Sequence, residues 1–247
     1  MESQPYIFKK QILACTLLCS ALYIIAYLNR NFIKDEIIVV LFTLFVTLFI
    51  TFLPYIYSSL KYPLWLHFIL YNLPMFWVFP FVNKKNVVNI ERFVYVFFIT
   101  LCLMIIILLL SLKELKISIC SKETKIPLNE KYFYIEIIKF TYSVVSEEFF
   151  FRLFLITFLH QHYGLLSIPL SACIFVYLHY INRWSNKMFS IKSYIMQFLF
   201  SLIVGFAFIY TNSIVLCIIF HSIFNCSELI IIVKRFRLKE ADWIDLD

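Results

Sequence analysis

The sequence is poor in charged residues and in glycine. Charged residues make up 15% of the 247 positions, and glycine occurs only 2 times, whereas an ordinary soluble domain is about 25% charged. Apolar residues reach 62%, including 29 Phe and 16 Tyr, and so many aromatic side chains could not stay solvated in a disordered chain. The composition therefore excludes soluble, disordered and collagen-like classes and indicates an integral membrane protein.

Paired cysteines and a continuous basic face are also missing. The 7 cysteines are odd in number, form no CxxC motif and, apart from Cys120, lie in apolar runs, which favours buried hydrophobic side chains over disulfides or a metal site. The net charge of +7 comes from short basic runs between apolar stretches. Such runs are typical of orientation signals and lipid-headgroup anchors, so we predict a lipid bilayer as partner and no nucleic acid.

Apolar stretches long enough to cross a bilayer recur along the chain. A helix needs about 20 mostly apolar residues for this. The stretches predict an all-α, polytopic bundle of about eight transmembrane helices, at 11–28, 36–57, 63–82, 92–112, 132–159, 164–180, 193–210 and 213–233. The long polar segment 113–131 is predicted to be a loop, with or without an interfacial helix.

The basic residues predict the orientation of these spans. Most Lys and Arg residues fall in the tails and in alternate loops, so both termini should be cytoplasmic. With no repeat and no linker, residues 1–247 are interpreted as a single membrane domain. Its predicted parts are four spans and a cytoplasmic loop in 1–131, a functional core in 132–233 and a cytoplasmic tail in 234–247. The frequent Phe, Ile, Lys, Asn and Tyr residues would suit an AT-rich genome and favour a bacterial plasma membrane.

The fifth predicted span carries three charges at its centre, Glu147, Glu148 and Arg152. An ionisable residue at membrane depth is costly and indicates a functional site. Glu148 and Arg152 are four residues apart and should pair on one helix face. Glu147 lies about 100° around the helix and would lack this partner, which suits a general base. A purely structural ion pair that fixes helix packing remains an equal alternative for these residues alone.

Two later spans add histidines. His179 follows Phe175 by one turn at the end of the sixth span, and His221 precedes Asn225 by one turn in the eighth. Taken singly, His179 suits an interfacial residue, and His221 with Asn225 suits hydrogen bonding between helices. Taken together with the acidic pair, these groups predict one polar pocket within the bundle, because unpaired they would be too costly to keep in a membrane.

The ordered motifs resemble those of the CPBP family, which comprises polytopic intramembrane endopeptidases such as the type II CAAX prenyl proteases and bacteriocin-processing or bacteriocin-immunity proteins. EExxxR is matched by Glu147, Glu148 and Arg152, FxxxH by Phe175 and His179, and HxxxN by His221 and Asn225. The resemblance covers approximately 132–233. One departure is the scarcity of glycine, which the family often uses for close helix contacts.

The resemblance implies a peptide-bond hydrolase. By this similarity Glu147 would activate the attacking water, His179 and His221 would orient the water or stabilise the oxyanion, and Asn225 would support the oxyanion. Glu148 and Arg152 would hold the geometry of the site. The implied substrate is a membrane-anchored peptide or a lipidated protein, processed by a multi-pass membrane protease.

The metal question stays open at this stage. The family is commonly labelled a metalloprotease, and Glu147, His179 and His221 could form a zinc set with an open position. The HExxH motif is absent, however, and a metal-free glutamate mechanism would use the same residues. No cofactor is therefore certain.

Two other function classes are compatible with the pattern. A noncatalytic immunity or interaction protein could keep the pocket as a binding or folding feature. A transporter or proton pathway could use the same buried carboxylates and histidines, although we find neither an inverted repeat nor paired broken helices in the two halves.

Overall fold

The computed structural model describes residues 37–38, 40–48, 72–76, 90–120, 124, 126–181 and 189–238, and these are almost entirely helical, with no strand among them. The first predicted span lies outside the described residues. Residues 37–38, 40–48 and 72–76 belong to the second and third predicted spans, and they are helical. The all-α class is confirmed, whereas the number of eight spans is not tested by this part of the chain.

Besides the helical residues at 37–38, 40–48 and 72–76, eight α-helices have both ends among the described residues. Polar caps start or end several of them: Asn129 accepts from the Tyr132 N–H, Ser190 and Ser193 form a reciprocal capping box, and Ser213 accepts from the Leu216 N–H. The helices are α1 (Ile90–Leu110), α2 (Leu112–Ile119), α3 (Glu130–Glu148), α4 (Thr157–Tyr163), α5 (Ser167–Ile181), α6 (Ile191–Thr211), α7 (Ile214–Phe224) and α8 (Cys226–Arg237). A π-helical segment, Phe149–Ile156, joins α3 to α4.

Among the described residues, three helical stretches are long and apolar enough to cross a membrane, or four if the bent pair α7 and α8 is one span. One of them, Glu130–Ile181, has 52 residues and would be about 78 Å long if straight. It folds back instead at Gly164, whose φ is +54°. The Ser171 hydroxyl donates to the Phe151 carbonyl at 3.1 Å, so α5 returns along the π-helical segment.

The eighth predicted span is broken, and the prediction of one helix over 213–233 is wrong. α7 and α8 meet at Asn225 with a bend of 60°. Asn225 has φ −89° and ψ 19°, and its carbonyl accepts from the Glu228 N–H at 3.0 Å, so its main chain starts the next helix. Beyond the bend the sequence is less uniformly apolar, because α8 carries Glu228 and a basic last turn on either side of the apolar run 229–233. An amphipathic α8 packs its apolar side on α3 through Phe140, Val144 and Ile232.

Three polar segments meet at one end of the bundle. Lys234 Nζ donates to the Ile119 carbonyl at 3.0 Å, and Arg235 Nε donates to the Ile126 carbonyl at 2.8 Å. At the start of α6, Lys192 pairs with Glu114 at 2.9 Å, and this hydrogen-bonded ammonium holds the pKa of the Glu114 carboxyl below its ordinary value. The segment 113–131, the start of α6 and the end of α8 are therefore on the same side, as the distribution of basic residues predicts. That this side is cytoplasmic stays a prediction.

One of the two glycines, Gly205 in α6, marks a close helix contact. A Cβ at this position would lie 2.9 Å from Ile168 Cγ2 and 3.2 Å from Ile156 Cδ1. Ile168 is fully buried and branched at Cβ, so it has little room to move.

We expect Gly205→Ala to lower the free energy of unfolding by about 1–3 kcal/mol, the usual cost of overpacking, despite a gain of about 1 kcal/mol in helix propensity. A double-mutant cycle with Ile168→Ala measures this, since the smaller side chain makes room for the new methyl. An equal cost of Gly205→Ala in both backgrounds would contradict the close contact.

Candidate active site

The acidic pair lies where α3 changes into the π-helical segment. Glu147 and Glu148 are the last two residues of α3, and Arg152 lies within Phe149–Ile156. The wider turn is also seen at Thr157, whose hydroxyl donates to the carbonyl of Arg152, five residues earlier, at 3.4 Å. Single π-helical turns inside α-helices are frequent at functional sites. Here the segment is buried from Phe150 to Ile156.

Glu148 joins two cationic or potentially cationic partners. Its Oε2 lies 3.2 Å from Arg152 Nε, and its Oε1 lies 2.6 Å from His221 Nδ1. Glu148 and Arg152 are 0% exposed. The i,i+4 pair expected from the sequence is therefore present, although Arg152 Nε is not aligned for a hydrogen bond.

Aromatic rings enclose the Arg152 guanidinium. Its Cζ lies 5.5 Å from the Phe175 ring centroid, 5.6 Å from that of Phe200 and 6.0 Å from that of Phe151. Nη2 donates to the Ser201 hydroxyl at 3.4 Å. The faces of aromatic rings attract cations, so the rings and Glu148 together balance a charge that would otherwise be very costly in this position.

Glu147 faces the two histidines. Its Oε1 accepts a hydrogen bond from the Ser143 hydroxyl at 3.1 Å. Its Oε2 lies 3.8 Å from His179 Nε2 and 3.8 Å from His221 Nε2. These distances are too long for direct hydrogen bonds, and they suit a small polar molecule, such as water, between the three atoms.

Hydrogen bonds at Nδ1 fix the two imidazole rings. His179 Nδ1 lies 2.9 Å from the Phe175 carbonyl oxygen, which can only accept, so Nδ1 carries the hydrogen. His221 Nδ1 likewise faces the Glu148 carboxylate. In the neutral form, each ring therefore turns the lone pair of Nε2 toward Glu147. The Phe175 ring packs on His179 at a centroid distance of 4.4 Å, so Phe175 supports His179 with both its ring and its carbonyl.

Comparison with known proteins concerns the whole segment that carries these site residues. A family model described as "Rce1-like: Type II CAAX prenyl endopeptidase Rce1-like" matches residues 130–227. This match over residues 130–227 supports a CPBP family protease. No curated protein and no solved structure matches the chain significantly. The matched family is a protease family, which supports a peptidase, and the match together with the apolar helices indicates a multi-pass integral membrane protein.

The matched segment brings most of the predicted site residues together. Glu147, His179 and His221 converge, and the supporting residues Glu148, Arg152 and Phe175 contact one another or the histidines. Asn225 lies one turn beyond His221, half-buried in the bend between α7 and α8, and its N–H donates to the His221 carbonyl at 3.0 Å. It therefore terminates the helix that carries His221, and its expected part in the reaction stays a prediction.

The donor types at this site are those that zinc takes, namely two imidazole nitrogens and a carboxylate oxygen. Zinc bonds of about 2.0–2.2 Å would require these atoms to approach more closely than 3.8 Å. The part of the chain that the structure describes contains no group of three or more His, Cys, Asp or Glu side chains that could hold a metal ion. The present geometry does not fit a metal centre, and we derive no step through one.

Sequence reasoning missed several neighbours of the site. Ser143 could have been found, because it precedes Glu147 by four residues and so lies on the same helix face. Phe200 and Ser201 of α6 could not, because no motif links them to Arg152 or His221. Phe200 packs on His221 at a centroid distance of 5.0 Å.

Proposed function

We propose that this chain is an intramembrane endopeptidase that cleaves a membrane-associated peptide or lipidated protein with water activated by Glu147. The observation that carries the proposal is the convergence of Glu147 Oε2 with both Nε2 atoms at 3.8 Å. Peptide hydrolysis needs a base for water and donors directed at the developing oxyanion.

The reaction proceeds in two stages. Glu147 takes a proton from water while the water oxygen bonds to the carbonyl carbon of the peptide, which gives a tetrahedral oxyanion. The protonated Glu147 then delivers its proton to the departing nitrogen as the C–N bond breaks. The products are a carboxylic acid and an amine, the acid then passes its proton to the amine or to solvent, and Glu147 is again a carboxylate.

The two histidines have different partners, and this suggests different roles. A water in this position has two hydrogens and could not donate to three acceptors at once, so we assign one Nε2 a donor role and the other an acceptor role. Glu148 is placed to balance a positive charge on His221, and we assign His221 to the oxyanion. His179 is held by an uncharged carbonyl, and we assign it to orientation of the water. Asn225, next to His221 in the bend, would assist the oxyanion.

The test is cleavage by the purified protein in liposomes. The family description points first to a peptide that ends in a prenylated cysteine followed by three residues, and a non-lipidated peptide with a membrane helix is the second probe. We expect cleavage of at least one probe, loss of cleavage in His179→Ala and His221→Ala, and persistence in a metal chelator. If the chelator abolished cleavage and added zinc restored it, a metal mechanism would be required instead. Binding without cleavage of either probe would favour a noncatalytic interaction protein.

A further inference from the structure

Helix α6 carries two polar groups that the proposed mechanism does not use. Gln197 is only 5% exposed. Its Oε1 and the hydroxyl of Tyr194 are buried, and neither has a hydrogen-bond partner among the residues described by the structure. Buried polar atoms are almost always hydrogen-bonded, so each exception needs an explanation. Two exceptions three residues apart on one helix indicate a common cause.

The packing of α6 against α5 places Gln197 and His179 in the same stretch of this helix pair. The Phe175 ring lies 6.1 Å from that of Phe200, and the Tyr180 ring lies 6.0 Å from that of Tyr194. These two pairs show that the helices run antiparallel. Moving from the first pair toward the second, the chain passes His179 on α5 and Gln197 on α6.

The helical register also turns Gln197 toward the site. Relative to Gln197, Ser201 lies about 40° to one side and Phe200 about 60° to the other, at 100° per residue. Ser201 contacts Arg152, and Phe200 contacts His221. Gln197 projects between these directions, one turn nearer to the start of α6. Tyr194 lies on the same face, beside the Phe189 ring, which is itself 6.4 Å from the His179 ring.

A substrate peptide would need such groups. A peptide must be unwound for its carbonyl to be attacked, and in a membrane the freed N–H and C=O groups have little water to bind. A carboxamide can bind both backbone groups, since it has a hydrogen-bond donor and an acceptor, and a hydroxyl can also donate and accept. Neither group carries a charge, so both would recognise the peptide backbone and not a particular charged side chain.

We propose that Gln197 hydrogen-bonds the substrate backbone beside the scissile bond and that the Tyr194 hydroxyl hydrogen-bonds the backbone toward the start of α6. This rests on the proposed function and adds to it a subsite for an extended peptide. The subsite leads from the Tyr194 end of α6 to Glu147.

The test compares Gln197→Leu and Tyr194→Phe with matched changes elsewhere. Gln161→Leu removes an exposed carboxamide, and Tyr210→Phe removes a half-exposed hydroxyl at the other end of α6. The probe is the prenylated peptide in liposomes, followed by kcat and KM. A neutral hydrogen bond contributes about 0.5–1.5 kcal/mol, so we expect kcat/KM to fall about 2- to 13-fold in each site variant and to stay unchanged in the controls.

Measuring the resistance to unfolding separates a role in substrate binding from a structural role. Removing a buried polar group that lacks a partner should leave the resistance to unfolding unchanged or raise it. Unchanged kcat/KM in Gln197→Leu would overturn the proposal, and so would a loss of activity that is matched by a loss of stability.

Binding of the same peptide, measured in the Glu147→Gln background, makes the result independent of hydrolysis. A higher Kd in Gln197→Leu supports the subsite even if Glu147 is not the general base. An unchanged Kd, with cleavage still dependent on Glu147, overturns the subsite alone.

Discussion

Replacement of Glu147 by Gln is expected to lower kcat about 10²- to 10⁴-fold, the range that a general base contributes. The substitution keeps the shape of the side chain and can keep the hydrogen bond from Ser143, which approaches Oε1 at 3.1 Å. It removes the lone pair and the charge with which Oε2 would take a proton from water between His179 and His221. The measurement is single-turnover cleavage of the prenylated peptide in liposomes.

Glu136→Gln is the matched control for this substitution. Glu136 lies on the same helix, three turns before Glu147, and pairs with Lys139 at 2.8 Å in a partly exposed position. A surface pair of this kind contributes little, so the control should retain full activity. Both variants should unfold like the wild type, because Glu147 Oε2 has no hydrogen-bond partner among the described residues. Retained cleavage in Glu147→Gln would exclude Glu147 as the base.

The sequence was most informative about ionisable groups, because their free-energy cost within a membrane is high. Two carboxylates and an arginine at the centre of a span have few acceptable arrangements, so the pairing of Glu148 with Arg152 could be predicted from a spacing of four residues. The same argument predicted that Glu147 would lie apart from Arg152. That both histidines face Glu147 follows from similar reasoning, since isolated polar groups in several spans must meet.

Backbone irregularities were not predictable in this way. Phe149–Ile156 has no Pro or Gly, and its apolar residues would suit an α-helix equally well, so its π-helical form depends on tertiary packing. The bend at Asn225 had a weak signal in the charges of α8, but the apolar run through 214–224 concealed it. Contacts of Arg152 with Ser201 and Phe200 depend on how α6 packs, which a single sequence does not specify.

The second prediction concerns the buried pair of Glu148 and Arg152, for which an effect on stability can be separated from an effect on catalysis. Glu148→Leu would leave the Arg152 guanidinium at 0% exposure, with Ser201 and aromatic rings as its remaining partners among the described residues. Breaking a buried ion pair on one side typically costs about 3–5 kcal/mol, so we expect a strong loss of stability as well as activity. Unfolding by SDS titration in mixed micelles measures the first, and peptide cleavage measures the second.

The double variant Glu148→Leu/Arg152→Met should recover most of the stability and none of the activity. Replacing both partners of a buried ion pair with apolar side chains of similar volume is often neutral or stabilising. His221 would still lack the acceptor at 2.6 Å that holds its Nδ1, so its Nε2 would no longer be directed at Glu147. Glu148→Gln can restore an acceptor at that position, and we expect it to be more active than Glu148→Leu. If the stable double variant cleaved peptide at the wild-type rate, Glu148 would serve packing alone, and the orientation of His221 would need another cause.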